Sequence, residues 1–339
     1  MEPVERLVLA AVRPLLSHPD PEVAGEALWI TARGRDPADY RDMLAQARGK
    51  PDARGLRAIL AVGELGAAGA GLALSAMIDT GGGPDDERSA AAAFALTCLP
   101  DDHIGAALTD LLTSLQQGSP RRQRATTAAL LLGLRRTPHR DLGQALRGLW
   151  TERARQLGDL NTPLLEVMAR SDLDDQPLWR ERILVRNGDP AQQLAVLRAY
   201  QGREDRLPAE TTLLAKRSDD PAVRAAALRL LVVGRAASAL DLSIAALSSR
   251  DPDELQAAVH GVVTLGGAKF AATLEPHLLG QADDARRAAL LAAFTATPSQ
   301  ELRDRCAAWA ADRRQPAAVR RNAARLLARA EPERAAPLL

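Results

Sequence analysis

The sequence predicts an all-α protein built from helix pairs that stack along the chain. Three observations predict this fold class: the composition, a recurring helix start and a helical spacing of apolar residues. Of the 339 residues, 46% are hydrophobic but only 3% are aromatic, so aliphatic side chains supply the apolar mass. This composition, rich in Ala, Leu and Arg, favours helices, whereas a β-sandwich or barrel needs β-branched and aromatic residues.

Asp-Pro dipeptides predict where several of the helices begin. The aspartate offers a side-chain acceptor at the N-cap, and the proline has a preset φ and no N–H at the first helical position. Weaker versions of the same start are Ser119-Pro120 and Gln315-Pro316. The predicted N-caps are Asp20, Asp189, Asp220 and Asp251.

The apolar residues that follow these starts have the period of an α-helix. From Val223 they recur at the third, fourth, seventh and eighth following positions, and from Leu255 they do so again. This spacing gives each helix one buried face. Together with weaker copies it predicts about ten units between Val23 and Val319. The weaker copies begin near Ala53, Arg88, Arg122, Pro163 and Ala285.

Second helical stretches lie between these helices, for example at residues 104–116 and 238–249. Each unit is therefore an antiparallel helix pair, which cannot bury its apolar face alone and must stack on its neighbours. We predict a single domain over residues 1–339, with an irregular unit around residues 155–186 and a short tail at residues 331–339.

Three segments carry a family resemblance: DPAVRAAALRLL (220–231), HPDPEVAGEAL (18–28) and AILAVGELG (58–66). They resemble the HEAT-like repeat of bacterial scaffold proteins and phycobilin lyases. The resemblance covers essentially the whole chain and is specific for the fold rather than the function. It implies a right-handed α-solenoid, an armadillo/HEAT-type superhelix, whose concave face is lined by the helices that begin at Asp-Pro.

The net charge of +1 hides an uneven distribution. Residues 58–117 carry eight acidic side chains and one basic one, whereas residues 118–155 carry nine arginines and two acids. Such bands predict a surface for an acidic partner or a phosphate backbone. The candidate partner-binding residues are Arg121, Arg122, Arg124, Arg286, Arg287, Arg320, Arg321 and Arg325.

A structural role for these arginines is the alternative. The resemblance implies that the arginine directly after the valine of the repeat pairs with an aspartate near the turn and ties neighbouring helix pairs together. In this chain the two arginines in that place are Arg224 and Arg320. The other arginines of the bands would then form solvated helix faces.

Several functional classes are disfavoured by the sequence. The first residues include Glu2 and Glu5, where a signal peptide needs positive charge, and no apolar run has the length of a membrane span. Cys98 and Cys306 offer neither a disulfide framework nor metal spacing, which favours a cytoplasmic location. The five histidines form no HExxH or i+4 pair, and GxSxG and GxxxxGK[ST] are absent. We expect no catalytic residue, metal or cofactor.

The favoured function is a non-enzymatic scaffold or adaptor that binds a protein partner through the concave face, as a monomer or in a hetero-complex. One alternative is a HEAT-like enzyme, either a bilin lyase-like subunit or a DNA alkylpurine glycosylase-like protein. The glycosylases use a Trp with an Asp and an Arg in a concave cleft. Nucleic-acid binding through the arginine bands is disfavoured by scarce aromatics and near-zero net charge. The tryptophans are Trp29, Trp150, Trp179 and Trp309, of which only Trp309 has an acid one turn later, Asp312.

Overall fold

The computed structural model of the chain confirms the all-helical prediction. It describes residues 3–79, 86–100, 104–119, 121–137, 139, 142–171, 182–186, 189–266, 270–280, 283–294 and 297–338. These residues contain helices and turns and no strand. By its internal contacts the chain divides into two compact units, Met1–Asp175 and Gln176–Leu339. The single domain over residues 1–339 stays a prediction.

The first unit contains helices that pack as successive hairpins. The second helix of each hairpin packs on the second helix of the next, and these helices (α2, α4, α6, α8 and α10) form the front row. The first helices of the hairpins (α1, α3, α5, α7 and α9) form the back row. The helices are α1 (Pro3–Val12), α2 (Pro21–Arg33), α3 (Tyr40–Ala47), α4 (Ala53–Leu65), α5 (Ala70–Ser75), α6 (Asp86–Leu96), α7 (Gly105–Gln117), α8 (Arg124–Arg136), α9 (Gly143–Leu157) and α10 (Asn161–Arg170).

The second unit repeats this arrangement. Its front row consists of α11, α13, α15, α17 and α19, in which each helix packs on the next, and α12, α14, α16 and α18 form its back row. The helices are α11 (Pro190–Ala199), α12 (Glu210–Arg217), α13 (Pro221–Val233), α14 (Ala239–Ala246), α15 (Pro252–Leu265), α16 (Phe270–Leu279), α17 (Asp284–Ala293), α18 (Gln300–Ala311), α19 (Ala317–Ala330) and α20 (Pro332–Ala335).

The four Asp-Pro starts are confirmed. Each aspartate has extended backbone angles, accepts hydrogen bonds from amides of the first helical turn, and is followed by proline at the first helical position. These bonds satisfy amides that have no partner inside the helix. The capping residues are Asp20 for α2, Asp189 for α11, Asp220 for α13 and Asp251 for α15.

The weaker starts differ in detail. Helix α4 begins at Ala53, where Asp52 caps it by accepting from the Gly55 amide at 2.9 Å. Helix α19 begins at Ala317 with Pro316 in the N-cap position and no side-chain cap, because proline has no acceptor side chain. Of the Ser119-Pro120 pair, Pro120 lies outside the described residues. Helix α19 thus begins one residue later than the Gln315-Pro316 pair predicts.

Small residues set the distance between front-row helices. A Cβ atom on Gly63 of α4 would come within 2.5 Å of the Ala95 carbonyl oxygen of α6. The two backbones therefore touch where only glycine fits. Fully buried leucines such as Leu130 and Leu131 of α8 fill the space between the rows.

Between residues 155 and 186 the described residues include two short turns that are not α-helical. Helix α9 runs to Leu157, a 3₁₀ turn spans Gly158–Leu160, and a π-helical turn spans Arg182–Arg186. Residues 172–181 lie outside the described residues. The boundary between the two units falls within this stretch. At the other end, the predicted tail contains α20 and is anchored by Ala335, which is buried.

Candidate functional site

The eight predicted partner-binding arginines lie at helix starts and on one helix face, divided between the two units. Arg121 and Arg122 are exposed on the turn before α8, and Arg124 is the first residue of that helix. The Arg124 side chain pairs with Asp159, and both groups are solvent-exposed. The remaining arginines belong to the second unit, in α17 (Arg286, Arg287) and α19 (Arg320, Arg321, Arg325).

Arg287 is engaged inside the second unit. Its side chain is 15% exposed and donates from Nη1 to Asp284 at 2.8 Å and to Gln315 at 3.2 Å. Its guanidinium lies over the ring of Trp309, 5.1 Å from the centroid. Because Gln315 precedes α19, this side chain ties α17 to the next hairpin.

Arg286 contacts His277 of α16, with 3.2 Å between Nη2 and Nδ1. Burial and this guanidinium both lower the pKa of His277, so the imidazole is neutral near pH 7 and can accept the bond. Arg286 and Arg287 thus both contact neighbouring helices. In contrast, Arg321 and Arg325 are exposed on α19, and Arg320 is half-buried.

The sequence suggested that Arg224 pairs with an aspartate and ties neighbouring helix pairs together. In the structure Arg224 forms such a tie within the second unit, but its partner is a glutamate. Its Nε and Nη2 each donate to a carboxylate oxygen of Glu254 on α15 at 2.7 Å, while Nη1 donates to the Ser218 carbonyl at 2.6 Å. Ser249 donates a third bond to the Glu254 carboxylate at 2.7 Å. The paired charges lower the pKa of Glu254 below its ordinary value.

Other arginines donate to carbonyl oxygens 35 to 38 residues earlier in the chain. Arg54 donates to the Leu16 carbonyl at 2.9 Å, and Arg153 donates to the Gln116 carbonyl at 2.6 Å. Carbonyls at helix ends lack intrahelical donors, so guanidinium groups satisfy them. Further bonds of this kind join Arg170 to Arg135 at 2.8 Å and Arg329 to Phe294 at 3.5 Å. A share of the arginine excess therefore holds neighbouring hairpins together.

An apolar groove of about 480 Å³ crosses the exposed face of the front row in the first unit. We call it the front groove. Its large side chains are Leu56 and Leu60 of α4, Phe94 of α6 and Leu132 of α8. Leu132 is 52% exposed, and the other three are partly exposed. The floor between them consists of small side chains, namely Ala53, Ala90, Ala91 and Ala129.

The position of Leu132 follows from the helix period. The α8 sequence contains three consecutive leucines, and successive residues of an α-helix are rotated by about 100°. Leu130 and Leu131 point into the space between the rows and are fully buried, so Leu132 is left on the exposed face. The residue is apolar although its position is solvent-accessible, which marks it as a candidate contact residue.

Charged side chains lie at the two ends of the front groove. Glu22 of α2 lines the groove at one end, where Glu26 pairs with Arg57. At the other end, Arg136 of α8 lies over the ring of Phe94, 5.8 Å from the centroid. The groove thus has the carboxylate of Glu22 at its α2 end and the guanidinium of Arg136 near its α8 end, which we call its basic end.

Two further groups lie near the basic end. Arg135 pairs with the buried carboxylate of Glu166 at 3.0 Å, which makes it part of the fold. Cys98 is half-buried, and burial together with the charge of Glu64 raises the pKa of its thiol, while Arg136 lowers it. Burial dominates, so Cys98 is protonated near pH 7 and shows no sign of an activated nucleophile.

The exposed front-row face of the second unit is charged and polar. Arg229, Gln256, His260, Arg321 and Arg325 are exposed on it. Arg229 faces Asp253 of the next helix at 3.9 Å. Among the described residues of this face, the large exposed apolar side chains are two valines near helix ends, Val233 of α13 at 58% and Val263 of α15 at 40% exposure.

A second cavity, of about 520 Å³, lies in the second unit between the turn at Arg182–Arg186 and the starts of α11 and α13. Two of its polar side chains are used by the fold. Gln193 donates from Nε2 to the Leu184 carbonyl at 3.0 Å, and Asp220 accepts from the Val223 amide at 3.0 Å. The front groove is therefore the stronger candidate for a binding surface.

The groups considered for enzymatic chemistry are spread through the structure. Trp29 lies beneath Arg33, Trp150 is nearly buried, and Trp179 is outside the described residues. Cys306 is buried, which raises the pKa of its thiol to about 12. Within the described ranges, no group of three His, Cys, Asp or Glu residues could hold a metal ion.

The sequence matches no protein-family model and no curated protein. In the part of the chain that the structure describes, every helix is too short or too polar to cross a bilayer. The surface itself is thus the basis for a functional assignment. Sequence reasoning missed the front groove. The signal that could have indicated it is an additional apolar residue outside the buried stripe of a helix, such as Leu132.

Proposed function

We propose that this protein is a non-catalytic scaffold or adaptor that binds a protein partner through the exposed face of its front-row helices. The observation that carries the proposal is the front groove, in which neighbouring helices each place apolar side chains on one accessible surface. Contiguous apolar patches on a protein surface are typical of interaction sites.

Folding does not explain the groove. The front row is held by fully buried residues such as Leu130 and Leu131, whereas Leu132 lies on the exposed face of the same helix. Covering an exposed leucine side chain is favourable by up to about 1.5–3 kcal/mol, which a partner gains and the isolated chain does not. The four large side chains of the groove are therefore suited to the centre of an interface.

The proposal includes the HEAT-like solenoid and its cytoplasmic location. The hairpins that pack in series in each unit and the ties at one-repeat spacing, such as Arg54 to Leu16, support the solenoid. In that arrangement the front row is the concave face, and repeat proteins bind partners there. The free thiols of Cys98 and Cys306 are consistent with a reducing compartment.

The test is photo-crosslinking in a lysate of the source organism. A photoreactive amino acid at position 132 samples the front groove, and the same amino acid at position 233, which is comparably exposed in the second unit, is the matched control. We expect one protein to be crosslinked from position 132 and not from position 233. Leu60→Glu should abolish this crosslink, because a carboxylate cannot be buried in an apolar interface without a partner.

The arginine prediction is tested in the same assay. Reversing Arg121, Arg122 and Arg124 to Glu removes three positive charges at the start of α8. Weaker crosslinking of the same protein would extend the surface to this turn. Crosslinking of nucleic acid at position 132, or equal products from both positions, would overturn the scaffold proposal.

A further inference from the structure

We propose that the front groove binds an amphipathic α-helix of the partner, with basic residues at the end that lies over α2 and acidic residues at the end over α8. This inference rests on the proposed function and specifies the chemistry of the partner. It follows from three properties of the groove: its lining, its length and the charges at its ends.

The lining favours a helix over an extended peptide. The groove is formed by side chains from within α4, α6 and α8, whose backbone N–H and C=O groups are bonded inside those helices. An extended segment would bury its own backbone groups there without partners, since no strand edge is offered. A helix satisfies these groups internally and presents only side chains.

The surface relief also fits a helix. Small side chains of the floor, such as Ala90, Ala91 and Ala129, alternate with the larger Leu60, Phe94 and Leu132. Helices pack by fitting ridges of side chains into such depressions, and small residues let the axes approach closely. The depressions between the leucines would receive the apolar side chains of the docked helix.

The length of the groove sets the size of the helix. The lining residues come from α2, α4, α6 and α8, four neighbouring helices of one row. Packed helices lie about 8–10 Å apart, so the groove is about 25–30 Å long. At about 1.5 Å per residue, a helix of about 16–20 residues spans it.

The charges at the ends give the site a direction. At the α2 end Glu22 lines the groove and Glu26 pairs with Arg57 of α4, whereas near the α8 end Arg136 lies over the ring of Phe94. Opposite charges across an interface fix orientation and exclude mismatched partners. A helix that has lysine or arginine at one end and aspartate or glutamate at the other matches both ends at once.

The experiment selects peptides without assuming their sequence. A phage-displayed library of random 18-residue peptides is selected on the full chain and counter-selected on the double variant Leu60→Glu/Leu132→Glu, whose folding is checked by circular dichroism. We expect peptides that become helical on binding, with an apolar stripe and with basic and acidic residues segregated at opposite ends. Their affinity should fall at least about tenfold on Leu132→Glu, as for a central interface residue.

Charge reversal tests the orientation. Arg136→Glu should weaken a selected peptide about three- to tenfold, and replacing the acidic end of the peptide by lysine should restore the affinity. Arg155→Glu, an equal charge change at an exposed position of α9, is the control and should leave the affinity unchanged. Disulfide trapping from a cysteine at the acidic end of the peptide should favour Ala129→Cys over Glu26→Cys.

Each contrary result has a separate meaning. Peptides that bind in extended form, that lack segregated charge or that ignore Arg136→Glu would overturn this inference, as would a selection that yields none. If position 132 still crosslinks one protein, the proposed function survives such a failure. A dimer of the purified chain that Leu132→Glu dissociates would show that a second copy fills the groove, and would overturn the inference.

Discussion

The two units use the same helical arrangement but present different front-row faces. In the first unit the accessible face contains Leu60, Phe94 and Leu132, whereas in the second it contains Arg229 and Arg325. Both faces lie on helices whose opposite sides are fully buried, as Leu131 and Val223 are. The packing of the helices therefore determines the buried stripe of each helix and leaves the exposed stripe free to vary.

This difference separates residues that hold the fold from residues that are available for binding. A charged exposed stripe is the ordinary solution for a helix face in water, and the second unit follows it. In the first unit, neighbouring helices have apolar instead of charged residues on the exposed stripe, and these apolar residues form one contiguous surface. Scattered exposed apolar residues need no explanation, but a contiguous set does.

The largest expected effect distinguishes two adjacent leucines of α8. Leu131→Ala removes a fully buried side chain and should lower the free energy of unfolding by about 2–5 kcal/mol, because a cavity remains. Leu132→Ala, at a position 52% exposed, should lower it by less than about 1 kcal/mol. Urea denaturation followed by helical circular dichroism measures both.

The neighbouring leucines control for one another, since they share the helix and the substitution. An equal loss for both variants would mean that Leu132 supports the fold, and the contrast between the two faces would disappear. A small loss for Leu132→Ala together with weaker partner binding would assign the side chain to the interface alone.

An intermediate loss of stability is expected from disrupting the ion pair between Arg224 and Glu254 in the second unit. Glu254→Gln leaves Arg224, whose side chain is 25% exposed, opposite a buried uncharged amide, which should cost about 2 kcal/mol, below the range for a pair in which both groups are buried. The loss should be measured as the shift in urea midpoint at pH 7 with an unchanged slope.

The pH dependence of this pair has a defined sign. Arg224 lowers the folded-state pKa of Glu254, so the contribution of the pair is fully present above the unfolded-state pKa of about 4.3 and is lost as the pH falls through the lower folded value. The difference between wild type and Glu254→Gln should therefore be constant from about pH 6 to 8 and shrink below about pH 4. A difference that grew on acidification would contradict this assignment.

The helices were predictable because their signals are local. Asp20, Asp189, Asp220 and Asp251 cap their helices through bonds to amides two or three residues away, which a sequence reveals directly. The partner of Arg224 was less predictable, because Glu254 is thirty residues distant and its approach depends on how α13 packs on α15.

The front groove also depends on how the helices pack, and for that reason it was not predicted. Leu56, Phe94 and Leu132 are far apart in the chain, and each fits the apolar composition of its own helix. Only the packing of α4, α6 and α8 brings them to one surface. The sequence instead predicted a binding surface of arginines. In the structure one of them, Arg287, joins two hairpins and so stabilises the fold.

The smallest expected effect concerns an exposed pair on the second unit's face. Arg229 lies 3.9 Å from Asp253, and both side chains are well exposed, at 46% and 69%. Water and salt screen such a pair, so Arg229→Ala should change the free energy of unfolding by less than about 0.5 kcal/mol at moderate salt. Urea denaturation at low and high salt gives this value, with Arg224→Ala as the half-buried control on the same helix. A loss above about 1 kcal/mol for Arg229→Ala would mean that the charged face also holds hairpins together. The second unit's exposed stripe would then be structural, and the first unit's apolar stripe would be the one free for binding.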